Sequence, residues 1–250
     1  MSSSVLRMQH TSLQFSDSRA QQAHDVEQLF KQGKDFPIKT GTEASDSSAL
    51  FELLRAAARD YDHVLHNARG NFIAVDRKII KPGTLRRGSV FVIDNSKLVG
   101  RMHDRVMPTV VFTHVDPRIG RIAQSTAHFA TKGAKPGQPN YKANVLYSRK
   151  IAEWMRTAGR GSALAFNNGD YNMHDENLDW ANNGPFTSMA DELETWQNTG
   201  HGPIDGFCSY DRDGRVKAKT FKVLDDSEMK MYTDHFVCRG IWTIRHLRGV

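Results

Sequence analysis

Residues 165–177 read AFNNGDYNMHDEN, an apolar run that passes through Gly169 into carboxylates and amides. The preceding SALAFNN (162–168) has the near-continuous apolar character of a buried strand. A strand that closes on Gly169, Asp170, Tyr171 and Asn172 either runs out into a polar turn or holds oxygen ligands on a rigid support. What stands at the ends of the other strands decides between these readings.

Working outward, a first strand is expected in SVLRM (4–8), followed by a helix in which Ala23, Val26, Leu29 and Phe30 recur at helical spacing. DFPIKTGTEAS holds a short apolar piece ending in Gly41, Thr42 and Glu43, and ALFELLRAAARD (49–60) is rich in strong helix formers. DHVLH (62–66), NFIAVDRKI (71–79) and SVFVIDN (89–95) read as strands, and PTVVFTH (108–114) as a buried strand stopping at His114. A later helix carries Ile151, Trp154 and Met155 at i, i+3 and i+4. GPIDGFCSY (202–210), KAKTFKVL (217–224) and HFVCRGIWTI (235–244) complete the strands. Strands dominate and helices are interleaved, which predicts α/β (α+β) architecture with two packed sheets flanked by helices. No linker interrupts the chain, so residues 1–250 are expected to form one domain.

The strand ends supply Glu43, Thr113-His114, Gly169-Asp170-Tyr171-Asn172, Ile204-Asp205 and Thr233-Asp234-His235. Oxygen-rich donors with no cysteine among them suit a hard cation, Mg²⁺ first, with Mn²⁺ or Ca²⁺ as alternatives. Phosphodiester cleavage needs a base, neutralisation of phosphoryl charge and help for the leaving oxygen, and this inventory meets all three needs.

In order and spacing, Glu43, FTH (112–114), GDYN (169–172), ID (204–205) and TDH (233–235) resemble the endonuclease/exonuclease/phosphatase superfamily, typified by DNase I and the exonuclease III-type repair nucleases. The resemblance runs from about residue 4 to about residue 244. It implies a four-layer, DNase I-like sandwich of two mixed β-sheets with the site at the loop ends of the sheets. It also implies that Glu43 and Asp234 are metal-site residues. Asp170 and Asn172 would orient the nucleophilic water. His235 would bind the phosphate or act as base, oriented by Asp205, and His114 would stabilise the phosphate or the leaving oxygen. Where the family usually has an asparagine at the end of the first strand, this sequence offers Gln9 or His10, with Gln9 as the candidate amide oxygen. Where DNase I pairs an acid with its first histidine, HVLHNARGN offers Asn67.

The net charge of +6 favours a polyanionic partner. Arg118 and Arg121 follow His114 and are expected at the rim of the site as phosphate-binding residues, with Lys132, Lys135 and Lys142 on a nearby Gly/Pro-rich loop. No apolar run approaches the length of a membrane span, and the N-terminus lacks the pattern of a secretory signal, so an intracellular (cytoplasmic) protein with no membrane partner is expected. No obligate protein partner is inferred. Cys208 and Cys238 are expected as buried thiols. His63, His66 and His128 are expected to be structural or exposed, and Trp154, Trp180 and Trp196 to be packing residues. His174, Asp175 and Glu176 are read as loop polarity. The expected function is a divalent-metal-dependent phosphodiester hydrolase, a nuclease acting on DNA. The alternatives are a phosphatase or phosphodiesterase on a small or lipid phosphate, such as inositol-phosphate phosphatases and sphingomyelinases, or a non-catalytic nucleic-acid-binding module.

Overall fold

A computed structural model of the protein describes residues 2–13, 18–44, 48–100, 104–161, 163–173, 186–195, 197–200 and 205–246. Strand β1 (Ser3–Ser12) is joined through helix α1 (Arg19–Lys31) to β2 (Ile38–Thr42), which lies parallel to it. Ser18 and Gln21 open α1 with a reciprocal capping box. Helix α2 (Ser48–Asp60) leads into the hairpin of β3 (His63–Ala68) and β4 (Asn71–Asp76). Strands β5 (Arg86–Ile93), β6 (Arg105–Thr113) and β7 (Arg121–His128) form an antiparallel meander. Helix α3 (Tyr141–Ala158) then crosses over to β8 (Leu164–Asp170), parallel to β7. The chain continues through β9 (Phe186–Ser188), the short helix α4 (Met189–Glu192), β10 (Asp205–Tyr210), β11 (Val216–Leu224) and β12 (Val237–Arg245).

These strands make two six-stranded sheets, in the orders β11-β12-β1-β2-β4-β3 and β5-β6-β7-β8-β10-β9. Leu6, Met8, Ile38 and Ile73 of the first sheet meet Phe112, Ile122, Leu164 and Phe166 of the second in one buried layer. Helices α1 and α2 bury Leu29, Phe30, Leu50 and Leu54 against the outer face of the first sheet, and α3 buries Tyr147, Ile151 and Met155 against that of the second. Helix, sheet, sheet and helix therefore stack as four layers. Trp154 packs against the outer core under α3, and both cysteines are free and buried. Among the described residues no helix is long and apolar enough to cross a membrane.

One central strand departs from expectation. IAQSTAH is β7, yet its Ala, Gln and Ser residues have low strand propensity and little hydrophobicity to announce a buried strand. Its neighbours on both sides supply the pairing that propensity does not.

The outer face of β2 carries a buried cation. Lys39 is completely enclosed beneath α1, where Nζ donates to the Phe36 carbonyl at 2.6 Å and lies 3.1 Å from His63 Nε2. Burial lowers Lys39 to about 8 and, with the neighbouring Lys39 charge, lowers His63 to about 4. A folded-state value below the unfolded one means that the unfolded chain binds the extra proton, so stability rises with pH across the window between the two values. For Lys39 that window runs from about 8 to the ordinary value of 10.5. Between these pH values the wild type should gain stability relative to Lys39→Met, by on the order of 3 kcal/mol, measured by urea unfolding. Parallel pH profiles of the two proteins would contradict the assignment.

Candidate functional site

The period-two alternation of strands determines which residues reach the space between the sheets. Along β8, Leu164 and Phe166 face the first sheet, so Asn168 and Asp170 face it too. Gly169 sits where a Cβ would lie 2.5 Å from the Ala127 carbonyl oxygen, so only glycine allows β7 and β8 to approach so closely. Along β7 the same alternation places His128 beside Asp170, its Cα partner in the parallel ladder. Asp205, at the start of β10, pairs with Asp170 from the other side. The first sheet contributes Ser12 at the end of β1, Glu43 just past β2 and His235 just ahead of β12. The inter-sheet layer thus changes from apolar to ionisable at one end.

Two clusters share Asp170. In the first, His128 Nε2 lies 3.4 Å from Glu43 Oε1 and 3.6 Å from Asp170 Oδ2. Ser12 Oγ donates to Glu43 Oε2 at 2.6 Å. Arg105, at the start of β6, has Nη1 3.2 Å from His128 Nδ1. A guanidinium only donates, so Nδ1 is the acceptor and Nε2 carries the proton that faces the carboxylates. In the second, His235 Nδ1 lies 2.9 Å from Asp205 Oδ2 and Nε2 lies 4.0 Å from Asp170. His10 Nε2 lies 3.5 Å from the other Asp205 oxygen, while His10 Nδ1 and Asn168 Nδ2 both meet Thr40 Oγ1.

Burial sets the protonation in opposite directions across the site. It pushes Asp170 well above the usual carboxylate range, assisted by the adjacent Asp205 charge. It likewise raises Glu43, against the hydrogen bond from Ser12. It drives His128 well below the ordinary imidazole value, and Arg105 and His235 add repulsion. Burial alone would also lower His235 and raise Asp205. The Asp205 and Asp170 charges instead bring His235 up to about 10, and His235 together with His10 holds Asp205 below its usual range.

Several expected site residues converge here: Glu43, Asp170, Asp205 and His235 in the clusters above, with Asp234 close enough for its charge to act on Glu43. Asn172 donates its backbone N–H to Asp170 Oδ1 at 2.9 Å and its side-chain amide to the Phe129 carbonyl at 3.0 Å. Glu43 and Asn172 both adopt left-handed backbone, φ 59° and 46°. Such conformations cost on the order of 1–3 kcal/mol in residues other than glycine and gather at functional sites. Asn67, on β3, lies at the same end of the sheet as Glu43, two strands outboard of β2.

Other expectations require correction. His114 is at the opposite end of the second sheet: Thr113 pairs with Arg121, whereas His128 pairs with Asp170. The length of β7 separates them, roughly 20 Å at about 3.3 Å per residue. There His114 Nδ1 accepts the Asp116 backbone N–H, and Arg118 pairs with Asp116. Arg118 and Arg121 belong to that far end, not to the rim. Gln9 faces away from the site, donating to the Leu29 carbonyl and accepting from Arg239, because in β1 it is His10 and Ser12 that point inward. His128, expected as structural or exposed, is the histidine beside Asp170, and Arg105 behind it was not singled out. The signal for His128 was a second strand-terminal histidine within 14 residues of the first, inside a run too polar to read as a strand. His174, Asp175, Glu176, Trp180, Trp196 and Ile204 lie outside the described residues.

No protein-family model matches this sequence, and no curated protein is similar to it. Solved structures are similar in fold. An endonuclease/exonuclease/phosphatase family protein from Bacteroides thetaiotaomicron superposes with a TM-score of 0.72 at 16% identity, covering 98% of this chain and 99% of that one. A mannosyl-6-phosphatase from the same organism gives 0.70 at 16% identity, covering 95% and 99%. D. rerio TDP2 complexed with single-strand DNA product gives 0.65 at 11% identity, covering 96% and 99%. The chain therefore has the endonuclease/exonuclease/phosphatase, DNase I-like fold.

The donor set fits a hard divalent cation. Carboxylate oxygens of Glu43 and Asp170 lie within 4.8 Å of one another, as do those of Asp170 and Asp205, with the Nε2 atoms of His128 and His235 beside them. Carboxylates crowded this closely repel one another, and a cation between them relieves that repulsion. Mn²⁺ or Mg²⁺ at about 100 times its dissociation constant should then stabilise the protein by about 2.7 kcal/mol, read as a rise in Tm. Glu43→Gln should abolish the rise, and His114→Ala should retain it. A full rise in Glu43→Gln would remove Glu43 from the cation site.

Proposed function

We propose that the protein is a divalent-metal-dependent phosphoester hydrolase whose substrate is a nucleic acid, DNA in the first instance. The observation that carries this reading is the convergence of Glu43, His128, Asp170, Asp205 and His235 from both sheets onto one end of the inter-sheet layer. Glu43 and Asp234 would hold the cation, which when bound neutralises phosphoryl oxygens and eases deprotonation of water. Asp170, oriented by the Asn172 N–H, accepts the proton of the attacking water. His235, fixed by Asp205, presents Nε2 on the side of Asp170 and binds a phosphoryl oxygen. His128, with its Nε2 proton directed between Glu43 and Asp170, donates to the phosphoryl or leaving oxygen.

Three features support a nucleic acid as substrate. The net charge is +6. The segment that leaves His128 carries exposed Lys132, Lys135 and Lys142, suited to phosphates flanking the reacting one. A neighbour in fold was solved with single-strand DNA product. The fold likeness to a mannosyl-6-phosphatase favours a second reading, hydrolysis of a sugar phosphate monoester.

Nicking of supercoiled plasmid with Mg²⁺, with Mn²⁺ and with EDTA tests the proposal. Wild type should nick only with metal. Asp170→Asn and His128→Ala should each lose about 10²–10⁴-fold in rate, as expected for groups that move or donate a proton in the transition state. His114→Ala should stay near wild type. Metal-dependent phosphate release from sugar phosphates without nicking would favour the second reading.

A further inference from the structure

The loop that delivers Asp234 and His235 is held from outside its own sheet, and we infer that Asp25 on α1 is the residue that positions it. Asp25 is completely buried on the face of α1 that also presents Val26, Leu29 and Phe30. Packing there calls for an apolar side chain, and a carboxylate withdrawn from water is costly unless its oxygens find donors. They find two: Oδ1 accepts the Tyr232 backbone N–H at 2.8 Å and Oδ2 accepts the Thr233 N–H at 3.0 Å. These are the two residues immediately before Asp234 and His235.

The rest of the loop is tied around this clamp. His24, the neighbour of Asp25, meets the Lys230 carbonyl at 3.0 Å. Thr233 Oγ1 donates to the Ser12 carbonyl at 2.7 Å, and the Phe236 N–H donates to the Thr199 carbonyl at 2.9 Å. Of these ties, only Asp25 grips two successive peptide units. Because the Cα of His235 is two residues from the gripped Thr233 N–H, rotation of these peptides would swing the imidazole off Asp205 and away from Asp170. Asp25 thus acts through the backbone and touches no reacting group.

This inference rests on the hydrolase reading above. Its test compares wild type, Asp25→Asn and Asp25→Ala, with Glu27→Ala, an exposed residue of the same helix, as control. Amide exchange by NMR and steady-state kinetics are measured on each. In Asp25→Ala, exchange at Tyr232 and Thr233 should accelerate at least about tenfold, and kcat should fall about 10–100-fold with KM little changed. Asp25→Asn, isosteric and still able to offer one acceptor oxygen, should lie between. Glu27→Ala should match wild type. A purely structural Asp25 would lower the folded fraction and leave kcat per folded molecule unchanged, and that result overturns the inference. So does unchanged exchange at Tyr232 and Thr233. Should Asp25→Ala fail to fold, Asp25→Asn decides by the same criteria. If wild type hydrolyses no phosphoester, the hydrolase reading fails separately. Amide exchange and the Mn²⁺-induced rise in Tm then decide: accelerated exchange at Tyr232 and Thr233 with loss of the Tm rise in Asp25→Asn supports the clamp, and wild-type exchange at these amides overturns it.

Discussion

Asp205 is a carboxylate sealed between two β-sheets, and the arrangement of the site depends on keeping its charge there. One oxygen meets His235 Nδ1 at 2.9 Å and the other faces His10 Nε2 at 3.5 Å. An isolated ionised carboxylate at such a depth would neutralise itself by taking up a proton. His235 at the entrance to β12 prevents that, with His10 of β1 facing the other oxygen, and the contacts tie the first sheet to the second. The same contact orients the His235 ring, leaving its other nitrogen on the side of Asp170. Asp170, which lacks comparable cationic partners, moves the opposite way and holds its proton more tightly. Two neighbouring aspartates in one ladder therefore have different chemistry, because Asp205 is in direct contact with His235 at 2.9 Å, whereas Asp170 stands 3.6 Å and 4.0 Å from its histidines and beside the Asp205 charge.

Around this pair the fold places strands where they converge and loops where they are anchored. Parallel pairs β1/β2 and β7/β8 bring their C-terminal ends to the same side as the N-terminal ends of β6, β10 and β12. Ser12, Glu43, His128 and Asp170 come from the former, and Arg105, Asp205 and His235 from the latter. The outer helices are part of the same construction. Helix α1 covers the buried Lys39 on one strand and reaches the His235 loop through Asp25, so a layer with no direct place in the site still determines its geometry.

Much of this was legible in the chain. Apolar runs with polar ends announced sheets, and the carboxylates and histidine of GDYN, ID and TDH were readable as strand-end chemistry because each follows or precedes an apolar stretch. The histidine of the second sheet was not. FTH ends the more hydrophobic strand and STAH the more polar one, so hydrophobicity pointed to His114, whereas the meander reverses direction between them and leaves His128 beside Asp170. The Gln9 reading failed for a related reason. Adjacent residues of a strand face opposite sides, and an amide one position out of phase points at a helix instead of the site.

The sequence by itself determined the layered α/β character, because period-two and helical apolar spacings are local properties of the chain, and it determined the chemical inventory, since acids, amides and imidazoles are read directly. Tertiary structure alone decided which members of that inventory meet. Strand direction and register are fixed by pairing between segments far apart in the chain, as when Asp205 pairs with Asp170 or His128 comes to face Glu43 across the sheets. The protonation of the site is decided there as well, because a carboxylate or imidazole takes its proton affinity from burial and from the charges around it, and both exist only once the sheets have closed.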